Sequence, residues 1–327
     1  MKERVAILGA GVSGLTSAVL FAQRGYRVSI FAEEVGQSTT SGAAAAIWFP
    51  YDAEPVDKVI PWALETYKIL VDLSRDSRSG ISMLELRNFS RASEIQIPAW
   101  AIPLGARRMD LSVMSSKVET FLTVLPSVFA SGFALTVPLM DTTIYIDYLA
   151  NRFGSAGGEI NGNRRFEKLE DVDRSFDLVI NCAGIGAREL VPDVDLEPHR
   201  GQVAIVPKID NLTCAVVCDD APLMYAVPRT NDCLFGGTNE LSGNLDADPI
   251  STSRILTECS RVLNIDKPRV LVERVGLRPF RKSGVRLERD LLRDGRTVIH
   301  NYGHGGSGFT LSWGCARTVL RLASESA

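Results

Sequence analysis

The sequence predicts an α/β fold (α+β overall), and three observations carry this prediction. A short apolar run near the N-terminus leads into a glycine-rich turn and then a helical pattern, "VAILGAGVSGLTSAVLFAQ". Another apolar run, Leu178 to Asn181, leads into a second glycine-containing turn, "VINCAGIG", as buried parallel strands do. Between them lie short strand-like pieces such as "ISMLELRNF" and "FALTVPL", which are typical of an antiparallel sheet. We therefore expect a Rossmann-like dinucleotide-binding domain interleaved with an antiparallel-sheet domain.

Composition limits the classes of partner. The chain has 327 residues, of which 45% are hydrophobic and 23% charged, enough to bury one large core or two coupled ones. Its formal net charge of −3 argues against nucleic acid as a partner, because phosphate binding relies on an excess of Lys and Arg. We therefore expect a small-molecule partner.

The first strand-turn-helix-strand unit has the spacing of a dinucleotide site. Gly9 permits the tight turn, Gly11 lets the backbone approach a pyrophosphate, and Gly14 lets the helix pack on the strands. The start of the helix offers free N–H groups to the phosphates. A glycine-rich turn without a ligand is the alternative. The residues predicted to contact the cofactor here are Gly9, Ala10, Gly11, Val12, Ser13 and Gly14.

Two carboxylates follow the second strand. Glu33 stands where a carboxylate can bind ribose hydroxyls, and Glu34 is beside it. A carboxylate at this place, where a 2′-phosphate would need an arginine, disfavours NADP.

The next segment separates NAD from FAD. "QSTTSGAAAAIWFPY" is a run of small and hydroxyl side chains that leads into aromatics, where an NAD-binding domain would continue with a crossover helix. Small side chains allow a large flat ring to approach, and hydroxyls can donate to pyrophosphate oxygens. A flexible linker is the alternative, but the aromatics disfavour it. We predict FAD, contacted here by Thr39, Thr40, Ser41, Ala45, Ala46 and Ile47.

One segment has the length of a membrane span. Phe121 to Met140 is uncharged, but Pro126, Gly132 and Pro138 interrupt it, so strands and turns of a core are predicted. The N-terminal apolar run is short and broken by glycines, and we interpret it as a first strand and not as a signal peptide.

The cysteines carry no metal or redox pattern. The sequence has six of them and no CxxC pair, so buried free thiols in a reducing cytoplasm are predicted. The end of the chain, "SESA", is unlike the Ser-Lys-Leu address of peroxisomal proteins, which also leads us to expect the cytoplasm.

Four stretches together resemble the D-amino-acid oxidase family of flavoproteins, from one end of the chain to the other. They are "GAGVSGL", "TTSGAAAAIWFPY", "VGLRPFR" and "HNYGHGGSGFTLSWGCA". The last is the most specific, since it fits the family's signature of His, Asn, Tyr and Gly followed by small residues. Glycine oxidases and D-aspartate oxidases share the fold and parts of these motifs.

The resemblance implies roles for three catalytic residues. Arg278 would bind the substrate carboxylate with both arms of its guanidinium, Tyr225 would help to hold it, and the carbonyl of Gly306 would accept the substrate amine. The glycine loop would lie against the flavin, where main-chain donors can stabilise negative charge. The remaining predicted cofactor contacts are Ala183, Gly184, Arg278, His300, Gly303, Gly305, Gly306, Ser307, Gly308, Phe309 and Thr310. A metal site at His300 and His304 is not expected, because a third ligand is missing and a glycine loop holds a fixed geometry poorly.

The implied reaction is oxidative deamination. FAD would take a hydride at N5 from Cα of a D-amino acid and pass the electrons to molecular oxygen, giving a 2-oxo acid, ammonia and hydrogen peroxide. Alternatives of the same fold are a D-aspartate oxidase, a glycine or sarcosine-type oxidase and a flavin amino-acid dehydrogenase. A non-catalytic dinucleotide-binding sensor is the alternative from another class, and nothing in it would require Arg278 and Tyr225.

Departures from the family pattern bear on the substrate. The stretch that covers the site, "VVCDDAPLMY", is short, and Asp219 and Asp220 would repel an acidic substrate if they faced it. Phe49 stands where some relatives carry a polar residue. Arg229 is the nearby candidate partner for a second carboxylate, because alternation along a strand places it on the face of Tyr225. We expect a neutral or basic D-amino acid.

These segments divide the chain into two discontinuous parts. We predict a Rossmann-like FAD-binding domain formed by residues 1–50, 141–195 and 281–327, interleaved with an antiparallel-sheet substrate-binding domain of residues 51–140 and 196–280. The resemblance leaves a homodimer open as the assembly.

Overall fold

A computed structural model describes residues 3–92, 94–111 and 128–325 of the chain. In chain order its strands are β1 (Arg4–Leu8), β2 (Arg27–Phe31), β3 (Ile81–Ser90), β4 (Arg107–Arg108), β5 (Ser131–Met140), β6 (Glu159–Asn161), β7 (Leu178–Asn181), β8 (Leu196–Pro207), β9 (Cys214–Cys218), β10 (Met224–Pro228), β11 (Asp232–Gly236), β12 (Glu240–Leu241), β13 (Val272–Arg281), β14 (Arg286–Leu291) and β15 (Thr297–Tyr302). The α-helices are α1 (Val12–Gln23), α2 (Val56–Leu73), α3 (Thr142–Ser155), α4 (Ala187–Leu190), α5 (Pro249–Leu263) and α6 (Gly308–Ser324). The strands form two sheets.

The first sheet has the order β14-β15-β7-β1-β2-β6 and is parallel except for β14. Residues of β1 are buried on both faces: Val5 and Ile7 join a cluster with α1, α3 and α6, whereas Ala6 and Leu8 pack against Phe176 on the other side. Burial on both faces explains why β1 is a continuous apolar run. Because β1, β7 and β15 run in parallel, the turns after all three meet at one edge of the sheet.

The second sheet has nine strands in the order β12-β8-β11-β10-β9-β3-β5-β4, with β13 also paired to β8. Its pairs are antiparallel, except that β3 and β9 run parallel. Helix α5 covers one face, where Ile255 and Cys259 pack with Met224 and Phe235. The predicted fold class, with a parallel and an antiparallel part, is confirmed, and the parallel pair β3–β9 is the feature that sequence alternation did not indicate.

The strands of each sheet follow the division predicted from the sequence. Those of the first sheet fall within residues 1–50, 141–195 and 281–327, and those of the second within 51–140 and 196–281. Helix α2, assigned to the substrate part, packs instead on α6: the N–H of Gly314 donates to Thr66 Oγ1 at 2.9 Å, and Trp62 Nε1 donates to Thr318 Oγ1 at 3.1 Å. The domain boundaries stay a prediction.

The uncharged segment from Phe121 to Met140 is only partly described. Its residues 121–127 lie outside the described ranges, and its later part is strand β5. Among the helices that the structure describes, none is long and apolar enough to span a bilayer. All six cysteines are buried free thiols, as predicted.

The contact between α2 and α6 allows a matched test of packing. A Cβ built at Gly314 would lie 2.3 Å from the carbonyl oxygen of Trp62, whereas one at Gly154, in α3, would meet nothing within 4 Å. We expect Gly314→Ala to lower the free energy of unfolding by about 1–3 kcal/mol, as overpacking does. Gly154→Ala, the control, is expected to be neutral or to raise it by about 0.4–1 kcal/mol. Urea unfolding of both variants is the measurement, and a Gly314→Ala protein as stable as the wild type would contradict the packing described.

Candidate active site

One cavity of about 1090 Å³ connects the two sheets. It is lined by Glu33 and Arg165 near the end of β2, by the turn after β1, and by Tyr225 and Arg278 on strands of the second sheet. A single space therefore joins the edge where the parallel strands end to the face of the antiparallel sheet.

The turn after β1 is built by close backbone packing. Gly9 has a φ of +110°, and a Cβ on it would lie 2.3 Å from the carbonyl oxygen of Cys182. A Cβ on Gly14 would lie 2.0 Å from the carbonyl oxygen of Gly9. These two glycines therefore let β1, β7 and α1 meet. Helix α1 has Gly11 at its N-cap position with no side-chain cap, which leaves N–H groups of the first turn directed to the cavity end of the helix.

The predicted residues of this turn do not all reach the cavity. Gly14 does not line it, consistent with a packing role, and the residues that do are Gly9, Ala10, Gly11, Val12, Ser13, Ala183 and Gly184. Ala183 is held by its N–H, which donates to Asn181 Oδ1 at 3.2 Å.

Both carboxylates after β2 line the cavity, and Glu33 has a partner that the sequence did not indicate. Arg165 donates from Nη1 to Glu33 Oε2 at 3.1 Å and from Nη2 to Glu189 Oε2 at 2.6 Å. Arg165 follows β6, which is parallel to β2, so both side chains lie where the strands end. Sequence reasoning missed Arg165 because β6 has only three residues and no periodic pattern.

The run of small residues lies along the cavity wall. Ser41 Oγ accepts the N–H of Val12 at 3.0 Å, so its own proton is free to be donated to a ligand. Thr39 donates instead to the carbonyl of Gly36 at 2.8 Å. The predicted residues of this run that line the cavity are Thr39, Thr40, Ser41, Ala45, Ala46 and Ile47, together with Ala43 and Ala44.

Some residues of the glycine loop after β15 line the cavity, and Ser307 instead holds the backbone of a neighbouring segment. Gly306 is exposed, whereas its neighbours Gly305 and Ser307 are buried. Ser307 does not line the cavity, because its hydroxyl accepts the N–H of Tyr51 at 2.8 Å and donates to the carbonyl of the same residue at 2.5 Å. The predicted loop residues that do line it are Gly305, Gly306, Gly308, Phe309 and Thr310.

Thr310 supports the same segment as Ser307. Its hydroxyl accepts the N–H of Phe49 at 3.1 Å and donates to the Phe49 carbonyl at 3.0 Å. The two hydroxyls therefore fix Phe49 and Tyr51, whose rings line the cavity with Ile47.

Two more predicted cofactor contacts lie outside the cavity lining. His300 is buried in β15, where Asn181 Nδ2 lies 3.3 Å from its Nδ1, so it acts on the cavity only through the turn that Asn181 holds. Gly303 has a φ of +84° and packs against Arg281, which makes it a turn residue. Neither His300 nor Gly303 lines the cavity, and their contact with a cofactor stays a prediction.

His300, in β15, and His304, in the loop that follows, are both neutral at physiological pH. Burial lowers the pKa of His300 to about 4, helped by the nearby Arg286 cation, and burial alone lowers the pKa of His304 to about 4. His304 lines the cavity, with its Nε2 3.0 Å from Asn301 Oδ1. In the described ranges, no group of three or more His, Cys, Asp or Glu side chains could hold a metal ion.

Arg278 brings a cation to the far end of the cavity. Its Nη1 donates to the carbonyl of Thr238 at 2.9 Å, and its guanidinium lies so close to Gly201 that a Cβ there would be 2.5 Å from Nη2. Its further partners are the Asn239 side-chain oxygen at 3.5 Å and the Tyr225 side chain, and no carboxylate of the described ranges forms an ion pair with it. The guanidinium is therefore positioned by neutral groups and keeps N–H groups for an anion.

Two phenols lie beside Arg278. Burial raises the pKa of Tyr225, and the Arg278 cation opposes this. Burial and the charge of Asp219 raise the pKa of Tyr51 to about 12, again opposed by Arg278. Both phenols stay protonated at neutral pH and can donate hydrogen bonds to an anion on the guanidinium.

The stretch between β9 and β10 covers this end of the cavity. Asp219 and Leu223 line it, but Asp220 does not: Asp220 accepts from Ser90 Oγ at 2.7 Å and from the N–H of Arg91 at 2.6 Å, which lowers its pKa. Of the two carboxylates that the sequence offered, only Asp219 faces the cavity.

Arg229 lies outside the site. It is 5% exposed and is held by Asp232, with Nε 2.6 Å from Oδ1 and Nη2 2.9 Å from Oδ2. The strand ends at Pro228, and the hairpin turns the arginine to its own acidic partner. The expectation that alternation would bring Arg229 to the face of Tyr225 does not fit this pairing.

The residues present fit FAD. The cavity offers first-turn N–H groups of α1 and the Ser41 hydroxyl for phosphates, and carboxylates at the end of β2 for ribose hydroxyls. The lining also includes a run of alanines, Ala43 to Ala46, and the glycines of the loop after β15, and small residues of this kind leave room for a broad planar ring. Contact of individual residues with FAD stays a prediction.

Comparison with known proteins gives a family match over most of the chain. The model of the family described as "FAD dependent oxidoreductase" (DAO) matches residues 4–322. A D-amino-acid oxidase from Rubrobacter xylanophilus is 37% identical over 99% of this chain and 96% of its own length. A human D-aspartate oxidase is 33% identical over 98% of this chain and 95% of its own.

The fold is also found among solved structures. A glycine oxidase from Geobacillus kaustophilus superposes with a TM-score of 0.82 over 100% of this chain and 96% of that one. Its sequence identity of 19% makes it evidence for the fold alone.

The Glu33–Arg165–Glu189 bridge leads to a test of the cofactor site. We expect Glu33→Ala to weaken FAD binding by about 1–3 kcal/mol, the range for a lost hydrogen bond to a charged group. Titration of the deflavinated protein with FAD, followed by protein fluorescence, measures this. Glu189→Ala is the control, because it removes the other partner of Arg165 and keeps Glu33. Equal weakening by both variants, or none by Glu33→Ala, would show that Glu33 does not contact the ribose.

Proposed function

Since the chain belongs to the DAO family of FAD-dependent oxidoreductases, we propose that it is a D-amino-acid oxidase. The proposed reaction oxidises neutral or basic D-amino acids with molecular oxygen to imino acids and hydrogen peroxide, and water then hydrolyses the imino acids to 2-oxo acids and ammonia. The observation that carries the proposal is the guanidinium of Arg278, which lies in the FAD cavity without a carboxylate partner in the described ranges. The relative named D-amino-acid oxidase supports the same reaction.

Binding of the α-carboxylate is the first task of the site. The N–H groups of Arg278 that Thr238, Asn239 and Tyr225 do not use match a carboxylate in charge and geometry. Tyr225 and Tyr51, both protonated at neutral pH, stand beside the guanidinium as further donors. Desolvation by the surrounding protein strengthens these interactions.

The second task is to orient the amine and Cα. Gly306 is the exposed position of the glycine loop, where a main-chain carbonyl can accept from the amine without a side chain in the way. Bound FAD supplies the acceptor for the hydride that leaves Cα, and molecular oxygen then takes the electrons. With carboxylate and amine both fixed, only one enantiomer directs its Cα–H toward the ring, which gives the stereospecificity.

No side chain is required as a base on carbon. His304 is neutral at physiological pH, but its Nε2 is engaged with Asn301, and the phenols are poor bases because they keep their protons. A neutral substrate amine suffices to expel the hydride, so the protein contributes orientation, desolvation and charge pairing.

The alternative function is that of a D-aspartate oxidase, because one of the relatives carries that name. It would need a second cation for the side-chain carboxylate, since a buried unpaired carboxylate costs several kcal/mol. Arg229, the candidate, is already paired with Asp232, and Asp219 faces the cavity with a like charge. Both features favour neutral or basic substrates.

The proposal includes a cytoplasmic location and a homodimer. Six buried free thiols are consistent with a reducing compartment. Cell fractionation tests the location, and recovery in a secreted or membrane fraction would contradict it. Light scattering on the purified holoenzyme tests the dimer, and a monomer mass would contradict that part.

The substrate proposal is tested on purified holoenzyme. Hydrogen peroxide formation is compared for D-alanine, D-valine, D-phenylalanine, D-lysine and D-aspartate, with L-alanine as the control. We expect turnover of the neutral and basic D-amino acids. Absence of peroxide with every D-amino acid, or the highest kcat/KM with D-aspartate, would overturn the proposal.

The carboxylate role of Arg278 is tested by Arg278→Lys, which keeps the charge and loses the bidentate geometry. We expect kcat/KM for D-alanine to fall by about 10- to 150-fold, the equivalent of ~1.5–3 kcal/mol for a hydrogen bond to a charged group. FAD content should stay that of the wild type. Arg274→Lys is the matched control, since Arg274 is on the same strand but donates to the carbonyl of Gln37 and does not line the cavity. An Arg278→Lys enzyme with wild-type kcat/KM would exclude Arg278 as the anchor.

A further inference from the structure

Asp219 lies at the substrate end of the cavity and has no partner among the described residues. It follows β9 directly and lines the cavity together with Leu223, Tyr225 and Arg278. Within the described ranges it forms no hydrogen bond and no ion pair. The neighbouring Asp220, by contrast, accepts hydrogen bonds from Ser90 and Arg91 and so ties the connection between β9 and β10 to the end of β3.

Asp219 and Arg278 both lie near the same two phenols of the cavity. Asp219 raises the pKa of both Tyr51 and Tyr225, and Arg278 lowers both, because the two charges have opposite signs. They are nevertheless more than 4.0 Å apart, because no ion pair joins them. The cavity thus holds an anchor for a carboxylate and, not paired with it, an anionic group.

The environment of Asp219 favours pairing with a cation. Burial and the charge of Asp220 raise the pKa of Asp219 to about 6. A carboxylate that is ionised at pH 8 against this desolvation gains when an opposite charge reaches it. Leu223 and Tyr51 beside it present apolar surface that fits the methylene stem of a long side chain.

We propose that Asp219 is a specificity-determining residue, which pairs with the terminal cation of a D-amino acid that carries a guanidinium or ammonium group on a long side chain. The inference rests on the proposed function, because the α-carboxylate must be on Arg278 for the side chain to extend toward Asp219. The enzyme then prefers a cationic substrate over a neutral one of the same shape.

D-Arginine and D-citrulline provide the comparison, since citrulline replaces the guanidinium by a neutral urea group of nearly the same size. The ratio of their kcat/KM values is measured with purified holoenzyme at about pH 8, where Asp219 is ionised. We expect a ratio of about ten or more in favour of D-arginine, and a fall of about tenfold in Asp219→Asn, which corresponds to ~1.4 kcal/mol. Asp219→Glu should restore part of the preference.

Asp210→Asn is the matched control. Asp210 is exposed in the connection before β9, at the opposite end of that strand from Asp219, and does not line the cavity. Its removal changes the net charge equally and should leave the ratio at the wild-type value. If the ratio falls as much in Asp210→Asn as in Asp219→Asn, the preference for D-arginine comes from the net charge of the protein and not from Asp219. That result would overturn the proposal.

Two further outcomes keep the inference separate from the proposed function. Turnover of D-arginine and D-citrulline by the wild type with equal kcat/KM overturns the pairing with Asp219 and leaves the oxidase intact; this measurement needs no variant to fold. Failure of D-arginine, D-citrulline and D-alanine alike to give peroxide overturns the proposed function itself.

Discussion

An arginine cation that has no carboxylate partner among the described residues is the constraint on which the site depends. Arg278 is positioned by a main-chain carbonyl, by an amide oxygen and by the bare backbone of Gly201, and all of these are neutral. A charge held in this way needs an anion, and the protein leaves the N–H groups open for one that arrives with the substrate. The phenols beside it stay protonated, Gly306 presents bare backbone to the cavity, and Arg229 is paired elsewhere.

Close backbone contacts of two glycines shape the other end of the same cavity, where the cofactor would bind. Gly9 and Gly14 let the first helix approach the ends of β1 and β7, so its N-terminal residues line the cavity, where Ser41 Oγ accepts the N–H of Val12. Across the cavity, Ser307 and Thr310 hold the backbone of residues 49–51 through paired hydrogen bonds. The walls on which an FAD ring would lie are thus fixed by the parallel sheet on one side and by the last helix on the other.

Local sequence patterns predicted most residues that line the cofactor end of the cavity, but only some of those at its substrate end. The strand-glycine-helix order is local and periodic, so the turn of Gly9 to Ser13 and the small residues from Thr39 to Ile47 were found where the cavity lies. Arg278 and Tyr225 came from resemblance to a family, since a single charged residue in a strand has no distinguishing period. The roles of His300, Gly303 and Ser307 could not be separated from those of their neighbours, because the direction of each residue in a glycine loop depends on tertiary packing. Arg165, on a three-residue strand, and the pairing of Arg229 with Asp232 depend on register and hairpin geometry, which the sequence does not display.

The most direct test of the central role of Arg278 is an anaerobic titration of the purified yellow holoenzyme. Absorbance of the flavin is followed on addition of D-alanine, L-alanine or D-alaninamide, which lacks the carboxylate. If the unpaired guanidinium anchors the substrate, D-alanine bleaches the flavin, whereas L-alanine has no effect and D-alaninamide is far less effective at equal concentration. Bleaching by D-alaninamide as readily as by D-alanine would contradict the account.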